Sequence, residues 1–405
     1  MRKSAFWASA VLVAYTYLGF PILLLLRALL HPKPFTAGAI TPSVSLLIAA
    51  YNERDSIEAK LDNCLALDYP ADRLEVIIAS DGSTDGTDEL VRSRAGDRIR
   101  LLSLPRGGKA AALDAAAAAS RGDILVFSDA NSSYSTDAVR ALVKPFADPA
   151  VGGVAGDQRY RSGTDTDAAA EGERAYWSID RLLKAAESRG GNVISATGAI
   201  YAIRRTLFRG VPVGVTDDFA VSTSVIEQGF RLVFAPDAVA WEPVSRSGVA
   251  EWGRKVRVIT RGLRGVYERR MLLNPVTHGF YAVQLLSHKV LRRLMGIPLA
   301  IMAVIAPTLW RHGPAYRVAT ALQAGWYFLG IAGLAMRGRH GLSRSKLLAA
   351  PTFFILANAA ALVALWKTVR GHRIDRWEPV RPGGTATSPS PRGEEEQRFD
   401  AVVSR

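Results

Sequence analysis

Acidic and amide side chains recur in this chain directly after short apolar runs. Tyr51-Asn52-Glu53 follows Val44 to Ala49, Asp81-Gly82-Ser83-Thr84-Asp85 follows Leu74 to Ser80, and Asp129-Ala130-Asn131 follows Ile124 to Ser128. Any one Asp-Gly-Ser is an ordinary turn, with Asp accepting backbone amides and Gly taking positive φ. Carboxylates after several neighbouring strands are a different matter, because like charges on one rim need a cation or many donors. A metal held by carboxylate and carbonyl oxygens, bridging to a diphosphate, answers that need and suits Mg²⁺ or Mn²⁺. Lys109 follows Gly107-Gly108 at the start of a helical run, where it adds charge and amide donors for the same phosphates. A solvated N-terminal lysine is the plain alternative.

Those residues share a rim only if the apolar runs are neighbouring strands. Between Ser43 and Ala240 short β-branched or aliphatic runs alternate with helical ones: Ile57 to Leu67, Asp85 to Arg94, Lys109 to Ser120 and Thr136 to Phe146 separate strand-like segments that include Ile99 to Ser103. A βαβα order with near-continuous apolar strands predicts a mostly parallel sheet covered by helices, an α/β, Rossmann-like domain. Ligands of such sheets bind beyond the carboxyl ends of the strands.

The ends of the chain are of another kind. A hydrophobic fraction of 49% and a mean hydropathy of +0.09 are high for a soluble protein, and the apolar residues gather at the termini. Ala5 to Leu30 is long enough to span a bilayer. Arg27, His31, Pro32 and Lys33 follow in place of a small-residue cleavage site, so residues 1–33 read as a retained anchor rather than a signal peptide. Leu294 to Trp310, Val318 to Met336 and Ala349 to Trp366 give about three further spans within 294–368. The stretch 277–292 is amphipathic and suits a helix lying in the interface, with a buried core helix as the alternative. Basic residues mark two successive connections, Arg337 to Lys346 and Lys367 to Arg376, so both cannot be cytoplasmic if every run crosses. Residues 379–405 are rich in Pro, Gly, Ser and charge and read as a disordered tail.

A formal charge of +14 is compatible with nucleic acid, anionic lipid or an anionic substrate. No zinc-ligand spacing or RNP-like aromatic pattern is present, and many arginines adjoin apolar runs, so the membrane reading is preferred and nucleic acid is excluded as a partner. Cys64 is the single cysteine, so no intramolecular disulfide exists; it reads as a buried thiol.

Taken together, Ala49-Ala50-Tyr51-Asn52-Glu53, Ser80 to Thr87, Gly108-Lys109-Ala110-Ala111-Ala112-Leu113 and Phe127-Ser128-Asp129-Ala130-Asn131 resemble glycosyltransferase family 2, with the GT-A fold, over about residues 43–265. The anchor and C-terminal spans resemble its membrane-bound, polysaccharide-synthesising branch. The resemblance implies that Tyr51 and Glu53 hold the nucleoside and Asp81 its base or ribose. Asp129 and Asn131 take the metal-binding DxD position, with an amide in place of the second carboxylate. Thr197-Gly198-Ala199 to Arg205 resembles the acceptor-side segment, which places Gly198 and Ala199 at the acceptor. Thr216-Asp217-Asp218 resembles the Glu-Asp or Asp-Asp motif, which makes Asp218 the general base and Asp217 its support. Asp is also a good helix cap, and both uses are compatible. Arg254-Lys255-Val256-Arg257-Val258 resembles the Gln-x-x-Arg-Trp motif with Arg for Gln and Val for Trp. Arg257 keeps a diphosphate contact, while Val258 removes the stacking platform for the acceptor sugar, a role that Trp241, Trp252 or Tyr267 could take.

The expectation is therefore a multi-pass enzyme of the cell membrane with a cytoplasmic catalytic domain. It would move a sugar from a nucleotide-sugar donor to a lipid-linked or polysaccharide acceptor with inversion, touching membrane lipids and, in some systems, export or synthase partner subunits. The competing classes are a non-catalytic membrane component that senses nucleotide sugars, which would bind donor without turnover, and a nucleotidyltransferase, which would release pyrophosphate.

Overall fold

The computed structural model describes residues 1–161, 168–243, 248–336 and 346–371. Expectations for the tail 379–405, and for the basic residues Arg337, Arg339, Arg344, Arg373 and Arg376, fall outside them.

One sheet of eight strands forms the centre, in the order β3-β2-β1-β4-β7-β6-β8-β5. The strands are β1 Val44–Ala50, β2 Leu74–Asp81, β3 Ile99–Leu104, β4 Ile124–Asp129, β5 Ser133–Tyr134, β6 Val151–Arg161, β7 Tyr201–Arg204 and β8 Arg231–Pro243. β1, β2, β3 and β4 are parallel, β7 runs antiparallel to β4 and β6, and β8 is parallel to β6. Every residue of β1 is buried, which explains why its sequence is a nearly unbroken apolar run rather than an alternating one. Successive side chains enter opposite layers. Leu46, Ile48 and Val76 pack with Ile57, Leu61 and the thiol of Cys64 on one face. Leu47, Ile77 and Phe127 pack with Leu113, Tyr201 and Phe219 on the other.

The helices Arg54–Leu65, Thr87–Ser93 and Lys109–Ala119 make the crossovers. The chain runs β1 to β2 to β3 outward, then returns to lay β4 on the other side of β1. The loops after β1 and β4 therefore diverge at a topological switch point, the crevice where open α/β sheets bind ligands.

Among the described residues three helices are long and apolar enough to cross a membrane: Arg2–Leu30, Pro314–Ala335 and Leu347–Val369. A fourth candidate is a bent pair, Phe280–Leu294 and Gly296–Thr308, which meet at 50° as a broken span or a re-entrant loop. Gly296–Thr308 alone has 13 residues, about 20 Å of helix against a hydrocarbon core of roughly 30 Å. The polar residues of the preceding half turn inward. Gln284 Nε2 donates to the Asn192 carbonyl at 2.9 Å, the Tyr281 hydroxyl to the Ile194 carbonyl at 2.8 Å, and His288 Nδ1 lies 2.9 Å from Glu187 Oε1. The helix Ala168–Gly190 meets the N-terminal helix through Leu24, Ala28, Leu183 and Ala186. The helix Gly248–Glu268 packs Val256 on Ala360 and Ala364 of the last apolar helix. The α/β layer and the apolar helices are thus joined by buried contacts.

Candidate active site

The loops after β1 and β2 are zipped together by side chain to backbone bonds. Asn52 Oδ1 accepts from the Thr84 amide at 2.7 Å, and Ser83 Oγ accepts from the Asn52 amide at 3.0 Å. Thr87 Oγ1 accepts from the Glu53 amide at 2.9 Å, and Asp85 Oδ2 from that of Arg54 at 3.1 Å. Asn52 takes a positive φ of 52°, a conformation that Asn tolerates better than most residues. The Glu53 carboxylate accepts from Ser56 Oγ at 2.6 Å. Asn, Asp, Ser and Thr at these positions are there because short polar side chains can replace backbone partners in a turn.

Asp81 ends β2, 2% exposed. Its Oδ1 accepts from the amides of Gly107 and Gly108 at 2.6 and 2.8 Å, and its Oδ2 pairs with the Arg106 guanidinium. That guanidinium lies over the Tyr51 ring, 3.5 Å from its centre. Tyr51, Asp81 and Arg106 therefore form one planar-and-charged cradle from the ends of three strands. Arg106 was not singled out from sequence, although it precedes Gly107-Gly108-Lys109 in a basic glycine-containing loop. Gly82 sits under this cradle at φ +69°, where an added Cβ would lie 2.9 Å from the Arg106 backbone nitrogen. Gly82→Ala is expected to cost about 1–3 kcal/mol of stability, read as a lower apparent melting temperature of the solubilised protein.

Lys109 gathers the second half of the site. Its ammonium lies 2.7 Å from Asp129 Oδ1 and 3.1 Å from Asp217 Oδ2, joining residues far apart in sequence. Burial works against its charge, but Asp129 and Asp217 outweigh that and hold its pKa above the ordinary lysine value. Gly198 closes against the same carboxylate, since a Cβ there would stand 3.1 Å from Asp129 Oδ2. Ala199, beside it, is buried.

Thr216 takes the N-cap of the helix Asp217–Glu227, which puts Asp217 and Asp218 in its first turn, not at the cap. Carboxylates are favoured there by the helix dipole. Asp218 Oδ1 accepts the Phe219 amide at 2.7 Å. Burial raises the Asp218 pKa above the usual carboxylate value, and Asp217 raises it further; Lys289, the Phe219 amide and Lys109 oppose the shift. The segment before this helix is tied to the basic helix Gly248–Glu268, because the Arg261 guanidinium donates to the Val215 carbonyl at 2.6 Å.

Asp129 and Asn131 lie on one tight turn, closed by the Ser132 amide onto the Asp129 carbonyl at 3.3 Å, with Asn131 exposed. This donor set fits a hard divalent ion. It offers a carboxylate that already attracts a cation and a nearby amide oxygen, and such ions are commonly held by one or two side chains and completed by substrate phosphates. Among the described residues no three His, Cys, Asp or Glu side chains converge on a ready-made cage.

Glu242, near the end of β8, is a second group not singled out from sequence. Its Oε2 accepts from Gln158 Nε2 at 2.6 Å. Burial, then the charge of Asp129, push its pKa up to about 7 against the opposing pull of Arg254, Lys109 and Gln158. Arg257 stands partly buried on the helix Gly248–Glu268, one residue before Val258, which is 46% exposed.

Comparison with known proteins adds to this geometry. Residues 45–211 match the model of Glycosyl transferase family 2. The chain is 29% identical over 241 residues to a poly-beta-1,6-N-acetyl-D-glucosamine synthase of Staphylococcus aureus, covering 57% of each chain. It is 31% identical over 216 residues to an N-acetylglucosaminyltransferase of a Rhizobium species, covering 49% of this chain and 48% of that one. It therefore spans about half the length of the curated relatives it matches. Among solved structures it superposes on a mannosyltransferase from Pyrobaculum calidifontis in complex with GDP-Man and Mn²⁺, with a TM-score of 0.70 and 26% identity, covering 91% of this chain and 100% of that one. With a mostly parallel GT-A sheet whose switch point carries the motifs in question, residues 45–211 are a domain of the Glycosyl transferase family 2 type, a type found in transferase enzymes.

Proposed function

We propose that this chain is an inverting glycosyltransferase that moves a sugar from a nucleotide-sugar donor to a lipid-linked or polysaccharide acceptor at the membrane. The observation that carries the reading is the convergence of Lys109, Asp129 and Asp217 beside Asp218 at the strand ends. Tyr51, with Arg106 stacked on it, offers a face to the donor base, and Asp81 and Glu53 hold base or ribose. Lys109 and Arg257 meet the diphosphate. Asp129 and Asn131 would hold Mg²⁺ or Mn²⁺, which neutralises charge on the departing nucleoside diphosphate. Asp218 takes the proton of the acceptor hydroxyl as that oxygen attacks the anomeric carbon opposite the leaving group. Gly198 lines the acceptor side, where the absence of a side chain leaves the Asp129 carboxylate accessible, and buried Ala199 backs it.

The apolar helices suit a multi-pass protein of the cell membrane with its catalytic domain on the cytoplasmic side, where nucleotide sugars are found. The membrane placement is supported by the helices long and apolar enough to cross, the bent pair Phe280–Leu294 and Gly296–Thr308, and the buried contacts joining such helices to the domain.

The direct test incubates the purified full-length protein with Mn²⁺ or Mg²⁺, a panel of sugar nucleotides and lipid acceptors, and reads nucleoside diphosphate release. Release of pyrophosphate instead, or donor binding without any release across the panel, would sink the proposal.

A pH profile probes the base. Asp218 acts deprotonated, and its pKa is raised, so kcat/KM should climb with pH through an ionisation above the ordinary Asp value of about 3.9. Glu242 could supply the same limb, so the profile is repeated with Glu242→Gln; the limb should persist there, and its disappearance would transfer the assignment to Glu242.

A further inference from the structure

Lys60 lies on the helix Arg54–Leu65 and is 3% exposed. Its neighbours on that face, Ile57, Leu61 and Cys64, belong to the core, where a cation is retained only with dedicated partners. The partners are specific. The ammonium donates to Ser128 Oγ at 2.6 Å, to the Ser132 carbonyl at 2.7 Å and to Ser132 Oγ at 3.2 Å, and it lies 4.5 Å from the centre of the Tyr134 ring. Ser128 and Ser132 bracket Asp129-Ala130-Asn131 on either side.

The two hydroxyls pass the connection on. Ser132 Oγ donates to the Asp129 carbonyl at 2.8 Å, and both hydroxyls reach the Ala199 carbonyl at 3.4 Å. Nearly one helical turn beyond Lys60, Asn63 pairs with the Tyr134 backbone in both directions, at 2.8 Å to its carbonyl and 2.7 Å from its amide. Residues three apart share a helix face, so one face of this helix reads the backbone from Ser128 to Tyr134 like a template. Burial lowers the Lys60 pKa, and Cys64, Asp129 and Glu242 oppose that shift.

We propose that Lys60 is a positioning residue for the transfer site, holding the Asp129-Asn131 turn and Ala199 in one register from beneath the sheet, so that the metal-binding groups are preformed. The proposal rests on the transfer reading above. It assigns Lys60 no contact with substrate or metal. Groups that orient metal ligands typically change affinity by about 10–100-fold when removed, and that is the effect expected here.

The test compares the full-length protein with Lys60→Met, which keeps length and apolar bulk, and with Ser132→Ala, which removes one of the ammonium's partners. Mn²⁺ itself is the probe, titrated by calorimetry or electron paramagnetic resonance, alongside melting temperature and amide exchange over residues 128–134 in metal-free protein. Lys60→Met should bind Mn²⁺ about 10–100-fold more weakly and exchange faster at 128–134, with the metal requirement for turnover rising more than donor KM. Ser132→Ala should shift both readouts in the same direction by less. Should Lys60→Met not fold, the Ser132→Ala result decides. Unchanged Mn²⁺ affinity and unchanged exchange in a folded variant overturn the role of Lys60. Wild-type protein that binds no Mn²⁺ instead sinks the metal-assisted reading, and the exchange measurement then judges Lys60 alone.

Discussion

Asp218→Asn is expected to lower kcat by about 10²–10⁴ while donor affinity stays unchanged, because only proton transfer from the acceptor is lost. The amide keeps the side chain's shape, and its oxygen can still accept the Phe219 amide now bound at 2.7 Å. Asp217 keeps its own partner in Lys109, so the rest of the rim should hold. The sign of the stability effect supplies an internal control. Burial and Asp217 raise the Asp218 pKa, so the folded state binds this proton more tightly than the unfolded chain does. Stability from the group is full below the ordinary carboxylate range and is lost as pH rises through the folded pKa. Near neutral pH the charged carboxylate therefore disfavours folding, and the Asn variant should melt no lower than wild type. Turnover is read as nucleoside diphosphate release and binding by calorimetry. Loss of donor binding together with turnover would move Asp218 from the proton-transfer role to a donor-holding one.

How much of this was legible in the sequence depends on the range of the interaction concerned. The strands were readable because β1, β2 and β4 are buried on both faces and so carry nearly unbroken apolar runs. The rim was readable because polar residues cluster just where those runs stop. The partners of the rim residues were not. Lys109 reads as a phosphate ligand from its place after two glycines, yet its ion pair with Asp217 joins segments that meet only once the helix Asp217–Glu227 packs against the sheet. Arg106 over Tyr51 is likewise a contact between two loops. Lys60 had no sequence signal, since a lysine on an amphipathic helix ordinarily reads as solvated, and here it is buried by the turn it holds. The segment 277–292 shows the same limit in apolar surroundings. Gln284 and His288 suggest a watery face by pattern, but their partners Asn192 and Glu187 lie within the protein.

Lys109→Met should produce opposite changes in catalysis and in the response to metal, because one ammonium serves two carboxylates in the protein without ligands. Asp129 and Asp217 sit 2.7 and 3.1 Å from it, and Asp218 is adjacent, so removing the cation leaves like charges facing one another on a half-buried rim. Uncompensated buried charges are costly, although the Asp129 side chain, at 29% exposure, retains solvent screening. The metal-free variant should therefore melt below wild type. Mn²⁺ would then meet an Asp129 carboxylate with no competing ammonium, so the rise in melting temperature on adding Mn²⁺ should be larger in the variant than in wild type. Turnover moves the other way. A cation that leaves Asp129 for the donor diphosphate stabilises charge developing on the leaving group, and loss of one such donor costs about 10²–10³ in kcat. A variant with slow transfer but a larger Mn²⁺ shift would mark Lys109 as a cation exchanged between the resting rim and the diphosphate. Slow transfer with an unchanged Mn²⁺ shift would instead confine Lys109 to the diphosphate and leave Asp129 to be organised by other groups.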